Sequence, residues 1–133
     1  MLKRIHHVGI VVANLEDAYR FYRDALGLHV HKVAEVQDQG VKAALLSVGH
    51  SEIELLEPIN PNGTVAKFLE RRGEGMHHIC FETDDVEKEL AATKAKGIPM
   101  IDEKPRKGLA GMICFLRPKA TAGVLVEYAQ PID

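Results

Sequence analysis

Val8, Ile10 and Val12 recur two apart, with His7, Gly9 and Val11 between them. That alternation marks a strand with one buried face, and it predicts a strand over about 4–12. The period then changes. Leu15, Ala18, Phe21, Tyr22, Ala25 and Leu26 share one helical face, which predicts a helix over about 15–26. Asn14 suits its N-cap and Gly27 its left-handed stop. Extended segments follow at about 29–36, 41–48 and 51–57, the last preceded by a turn at Gly49-His50. Later in the chain Ile79 and Phe81 give the apolar face of a strand over about 76–83. A helix over about 85–96 begins at Asp84 with Glu87, a capping-box pattern, and stops at Gly97. Three more extended segments fall at about 98–101, 111–117 and 122–129, with Ala120-Thr121-Ala122-Gly123 turning into the last. Between these halves lies a short helix from Val65 to Arg72, capped by Thr64 and ended by Gly73.

The element order is thus β-α-β-β-β, used twice, and the residues repeat with it. Ile5-His6-His7-Val8-Gly9-Ile10 aligns with Met76-His77-His78-Ile79-Cys80-Phe81 at an offset of 71 residues. Near the end of each half, Ile53-Glu54-Leu55 aligns with Val126-Glu127-Tyr128. The expectation is an α+β fold in which two tandem modules place curved mixed sheets around a cleft. It spans 1–133 as a single domain: module 1 about 1–58, a linker helix about 59–74, module 2 about 75–133.

Composition narrows the function without naming it. With 46% hydrophobic and 27% charged residues the chain is a folding, globular sequence. No apolar run reaches the roughly 18 residues of a membrane span. A net charge of −2 without a basic stripe argues against a nucleic-acid surface. Two cysteines, Cys80 and Cys114, make neither a disulfide framework nor a CxxC site. With Met1–Ile5 running directly into a strand, the expected location is the cytoplasm.

Strand parity sorts the seven histidines. His7 shares a face with Gly9 and Val11, and His78 with Cys80 and Glu82, each away from its module's helix. Glu54 sits between Ile53 and Leu55, and Glu127 between Val126 and Tyr128. A carboxylate there is costly to desolvate unless paired or bound to a cation. Taken singly, each reads as a hydrogen-bonded strand histidine or an edge ion pair. Taken together, His7, Glu54, His78 and Glu127 occupy repeat-equivalent places and make a plausible shell for a divalent metal ion. His6, His77, His29, His31 and His50 are expected at the surface or in structural support.

The repeated module, with His near the start and Glu near the end of each half, resembles the vicinal oxygen chelate superfamily: glyoxalases, bleomycin-resistance proteins and extradiol dioxygenases. Within it the chain is most similar to the methylmalonyl-CoA epimerases. That likeness rests on Ile5-His6-His7-Val8-Gly9-Ile10, Ile53-Glu54-Leu55-Leu56-Glu57-Pro58, Val65-Ala66-Lys67-Phe68-Leu69, Gly73-Glu74-Gly75-Met76-His77-His78-Ile79, Asp102-Glu103-Lys104-Pro105-Arg106 and Gly123-Val124-Leu125-Val126-Glu127. The resemblance implies His7, Glu54, His78 and Glu127 as metal ligands, with Co, Mn, Zn, Ni or Fe as the ion. It implies a CoA thioester substrate, a homodimer, and metal-assisted enolisation with proton transfer at C2, Glu127 serving as one base. Some relatives carry a second acid where this chain has Ala43, which cannot move a proton. Lys104, Arg106 and Lys107, near Gly108 and Gly111, read either as a mobile loop toward the CoA phosphates or as a solvated basic turn. The alternatives are a lactoylglutathione lyase of glyoxalase I type and a non-enzymatic metabolite- or drug-binding module.

Overall fold

The computed structural model describes residues 1–132. The strands are β1 (Leu2–Val11), β2 (His29–Val36), β3 (Val41–Val48), β4 (Ser51–Pro58), β5 (Gly75–Thr83), β6 (Arg106–Gly108), β7 (Gly111–Leu116) and β8 (Val126–Gln130). The helices are α1 (Leu15–Tyr19), α2 (Thr64–Arg72) and α3 (Val86–Ala95). The chain divides into two compact units, Val8–His77 and Met1–His7 with the chain from His78 on. The boundary cuts through β1 and β5, so each unit holds a piece of both.

In the unit Val8–His77 the strand order is β2-β3-β4-β1. Strands β3 and β4 pair antiparallel through a two-residue turn, Val48 opposite Ser51, with Gly49 at φ 57° supplying the left-handed residue such a turn needs. Both faces of β1 are covered: His7, Gly9 and Val11 are buried, whereas Val8 and Ile10 on the predicted apolar face are only partly so. Just past the strand Val12 packs with Leu15, Tyr19, Leu46 and Leu55, and Ile10 lies against them. Asn14 caps α1 by accepting from the amide of Asp17 at 3.1 Å. The helix predicted over 15–26 is α-helical only to Tyr19, and Arg20–Ala25 widen into a π-helical turn. That rewinding changes the angle between successive side chains. Phe21 and Leu26, expected on the buried face, are consequently about half exposed.

In the other unit the order is β1-β5-β8-β7-β6. β5 pairs with β8 in parallel, and β8 with β7 antiparallel, so the sheet is mixed. α3 covers one face, where Val86 and Leu90 pack on Cys114, Leu116 and Tyr128. The Tyr128 hydroxyl and Thr93 Oγ1 share a buried hydrogen bond of 2.9 Å. The N-cap is Asp85, which accepts from the Lys88 amide at 3.0 Å, not Asp84 as the capping-box pattern suggested. Thr83 Oγ1 accepts from the Asp85 amide and sets the cap one residue later. Likewise Gly63, not Thr64, occupies the N-cap of α2.

Each module helix is also tied to a strand by its first amide. Leu15 N–H donates to Glu57 of β4 at 2.7 Å, and Val86 N–H donates to Gln130 of β8 at 3.0 Å. Three other expectations shift. The segment 98–101 supplies only a single bridge, Met100 to Leu116. The last strand starts at Val126 because a 3-10 turn at Pro118–Ala120, then Ala122 and Gly123 at positive φ, occupy the residues before it. The basic segment is β6, in an antiparallel hairpin with β7. Gly111 is required at its corner, since a Cβ there would meet Gln130 O at 2.2 Å.

Candidate metal centre

The sheet β5-β8-β7 positions the chemistry. Glu127 is opposite Cys80 on one side and Phe115 on the other. His78, two residues before Cys80, faces the same way. The remainder of that face is apolar: Cys80, Ala110, Ile113, Phe115 and Ala129 form a buried cluster with Leu125 against it. Phe115 packs edge-on against His78, ring centroids 5.7 Å apart. Arg106 lies over the Phe115 ring and is itself held by Asp102 at 2.9 Å. The β1 strand brings His7 into the same unit, fully buried.

Three donor atoms converge. His7 Nε2 lies 3.0 Å from His78 Nε2, and each lies 3.1 Å from Glu127 Oε1. Two ligands at right angles around an ion with bonds of about 2.1 Å stand about 3.0 Å apart, so this triangle has the dimensions of one face of a coordination sphere. Glu127 Oε1 is buried, and apart from the two imidazole Nε2 atoms no hydrogen-bond donor reaches it. A buried carboxylate oxygen in that state fits a cation better than a proton. Burial opposes ionisation of Glu127, but the nearby His7 and His78 rings more than offset it and hold its pKa down to about 2. The donor set, two imidazole nitrogens and a carboxylate oxygen, suits a borderline divalent metal.

Of the four residues singled out from sequence, His7, His78 and Glu127 thus meet within one unit. Glu54 lies in the other, buried on β4 opposite Leu45. Ala43 is buried on β3 and offers no proton acceptor. His29, His31 and His50 are exposed at the surface, as expected. His6 is buried and touches His7, a contact that parity obscures: alternation fixes where each Cβ points but not how a ring turns. The Cys114 thiol, pushed up to about 12 chiefly by burial, stays protonated. In the unit Val8–His77, a groove of about 390 Å³ between α1 and β1 carries Asp17 and Glu74 as its only ionisable lining besides Tyr22.

A family model described as the glyoxalase/bleomycin resistance protein/dioxygenase superfamily matches residues 6–115. The chain is 36% identical over 131 residues to the mitochondrial methylmalonyl-CoA epimerase of Mus musculus, covering 97% of this chain and 74% of that one. It is 35% identical over 133 residues to an ethylmalonyl-CoA/methylmalonyl-CoA epimerase of Cereibacter sphaeroides, covering 98% and 99%. Among solved structures, a Streptomyces coelicolor methylmalonyl-CoA epimerase variant in complex with 2-nitronate-propionyl-CoA superposes with a TM-score of 0.96. It shares 37% identity, with both chains fully covered.

Proposed function

Because the chain belongs to the glyoxalase/bleomycin resistance protein/dioxygenase superfamily, we propose that it is an isomerase interconverting the C2 epimers of methylmalonyl-CoA. Full-length similarity to proteins named methylmalonyl-CoA epimerase carries the substrate. The triangle of His7, His78 and Glu127 supports the chemistry.

The proton at C2 is weakly acidic because its removal leaves charge on a thioester. A divalent ion, when bound, supplies a Lewis acid for the charge developing on that oxygen. His7, His78 and Glu127 hold it, and Glu54 is proposed as the fourth ligand from its burial and its repeat equivalence to Glu127. Co, Mn, Zn, Ni and Fe all accept such a mixed nitrogen and oxygen shell. Cys80, Ile113, Phe115 and Ala129 keep the face around Glu127 apolar, which strengthens every charge interaction there. Glu127 is proposed as the base on one face of C2, from its place beside the two histidines on an apolar face. The two modules act as one domain in this proposal, within a cytoplasmic homodimer.

The test is deuterium exchange at C2 of methylmalonyl-CoA, with chelator and with added Co or Mn. Exchange abolished by chelator and restored by the ion is expected. Exchange that survives complete removal of metal overturns the metal reading. A protein that ignores the CoA thioester but turns over a glutathione hemithioacetal overturns the substrate.

A further inference from the structure

His7 belongs to two clusters of possible ligands. One atom each of His7, Glu127 and His78 form the triangle described above, and one atom each of His6, His7 and Cys80 lie within 4.8 Å of one another. All of these side chains are buried. The two clusters compete for a single ring. A neutral imidazole has one N–H and one lone pair, so His7 cannot offer a lone pair at both nitrogens.

The distances decide between them. Nε2 of His7 faces His78 Nε2 and the buried Glu127 Oε1, at 3.0 and 3.1 Å. That nitrogen must carry the lone pair if an ion is held there. The ring proton then sits on Nδ1, which lies 2.8 Å from His6 Nδ1, with the two rings nearly perpendicular at 84°. That separation is the length of an N–H···N hydrogen bond, with one ring donating and the other accepting. His6 is only 4% exposed, so packing limits its freedom to turn away. Resting on the metal reading above, we propose that His6 is a positioning residue. Its Nδ1 accepts the Nδ1–H of His7, fixing the tautomer and ring angle that present His7 Nε2 to the ion.

An acceptor of this kind raises the basicity of the ligating nitrogen, and losing one commonly costs 10- to 100-fold in metal affinity. The repeat-equivalent residue, His77, is half-buried and packs edge-on against Phe68.

The experiment is Co(II) titration of the full chain against a competing chelator, with the visible spectrum of the bound ion recorded. His6→Leu removes the acceptor and keeps bulk, while His6→Asn keeps an oxygen near the Nδ1 position. The expected result is about a 10- to 100-fold loss of affinity and a shifted cobalt spectrum for the Leu variant, with Asn restoring most of both. Equal affinity for His6→Leu and the parent overturns the proposal, and so does an equal loss in both variants. If the Leu variant does not fold, a loss of tenfold or more in His6→Asn is the overturning result. Two Co ions per chain, falling to one in Cys80→Ala, would instead make His6, His7 and Cys80 a metal site in their own right. A parent that binds no ion yet still exchanges the C2 proton overturns the metal reading, and this proposal with it.

Discussion

Strands β1 and β5 carry the same pair of residues, His6-His7 and His77-His78. The second histidine of each pair has the same role: both Nε2 atoms reach Glu127 Oε1 at 3.1 Å. The first does not. His6 is buried against His7, whereas His77 packs on Phe68 of α2, a helix with no counterpart in the repeat. The two glutamates have different strand neighbours. Glu127 lies between Cys80 and Phe115 with its partner histidines in the same unit, and Glu54 lies opposite Leu45 in the other. Equivalent positions inherit a direction from the strand, but their neighbours determine what they do.

The sharpest break of the symmetry is expected at the glutamates. Glu127→Gln keeps a ligating oxygen and removes the basicity, so C2 exchange should fall by about 100-fold or more while metal content is partly retained. Glu54→Gln should fall less, since only ligation is assigned to it. Near-normal exchange by the metal-loaded Glu127 variant would place the base elsewhere.

The histidine pairs come next. His77→Leu should leave Co(II) affinity at the parent level, in contrast to the loss expected of His6→Leu. Equal losses at the two positions would mean that the asymmetry seen in the side chains does not reach the metal.

A smaller difference is expected at the helix caps. Asp85→Ala and Asn14→Ala each remove one side-chain acceptor, at a cost of about 1 kcal/mol in unfolding free energy. Asp85 should cost the more, because its charge also faces the positive end of a ten-residue helix, whereas α1 has five residues. Denaturant midpoints of the two variants measure this.

The smallest effect is one of pH. The folded-state pKa of Glu127 lies below its ordinary value of 4.5. Its contribution to stability is therefore present above about pH 4.5 and is lost as pH falls toward about 2. Acid unfolding of the metal-free protein should be shallower across that interval for Glu127→Gln than for the parent. Identical acid curves would mean that the pairing with His7 and His78 adds nothing to stability.

Much of this was legible in the chain because a period of two is a strong constraint. Parity turned His7 and His78 away from the helices and assigned Val12 and Ile10 to the core beneath α1, and the repeat added Glu54 and Glu127 to the expected set. What parity and spacing could not read is local competition between nearly equivalent geometries. Leu15 to Leu26 has the spacing of one α-helix, but a π-turn intervenes and leaves Phe21 and Leu26 at the surface. Asp84 and Asp85 are chemically alike, and Thr83 Oγ1, by bonding the Asp85 amide, selects the second as cap. The basic residues 104–107 have a loop-like composition, yet Arg106 and Lys107 pair with Ile113 and Met112 in a hairpin. The His6–His7 bond depends on how two rings turn, which no alternation pattern encodes.

The two helix-start contacts have a consequence for hydrogen exchange. The first amides of a helix have no carbonyl behind them and ordinarily trade their protons readily with water. Here the first amide of α1 is held by Glu57 and that of α3 by Gln130, each three residues beyond the glutamate of its own half. For either amide to exchange, the helix must lift from the strand that carries Glu54 or Glu127. The deuterium uptake of Leu15 and Val86 is thus a separate clock for the opening of each half. Two unequal rates would reveal which glutamate rests on the softer support before any substrate is added.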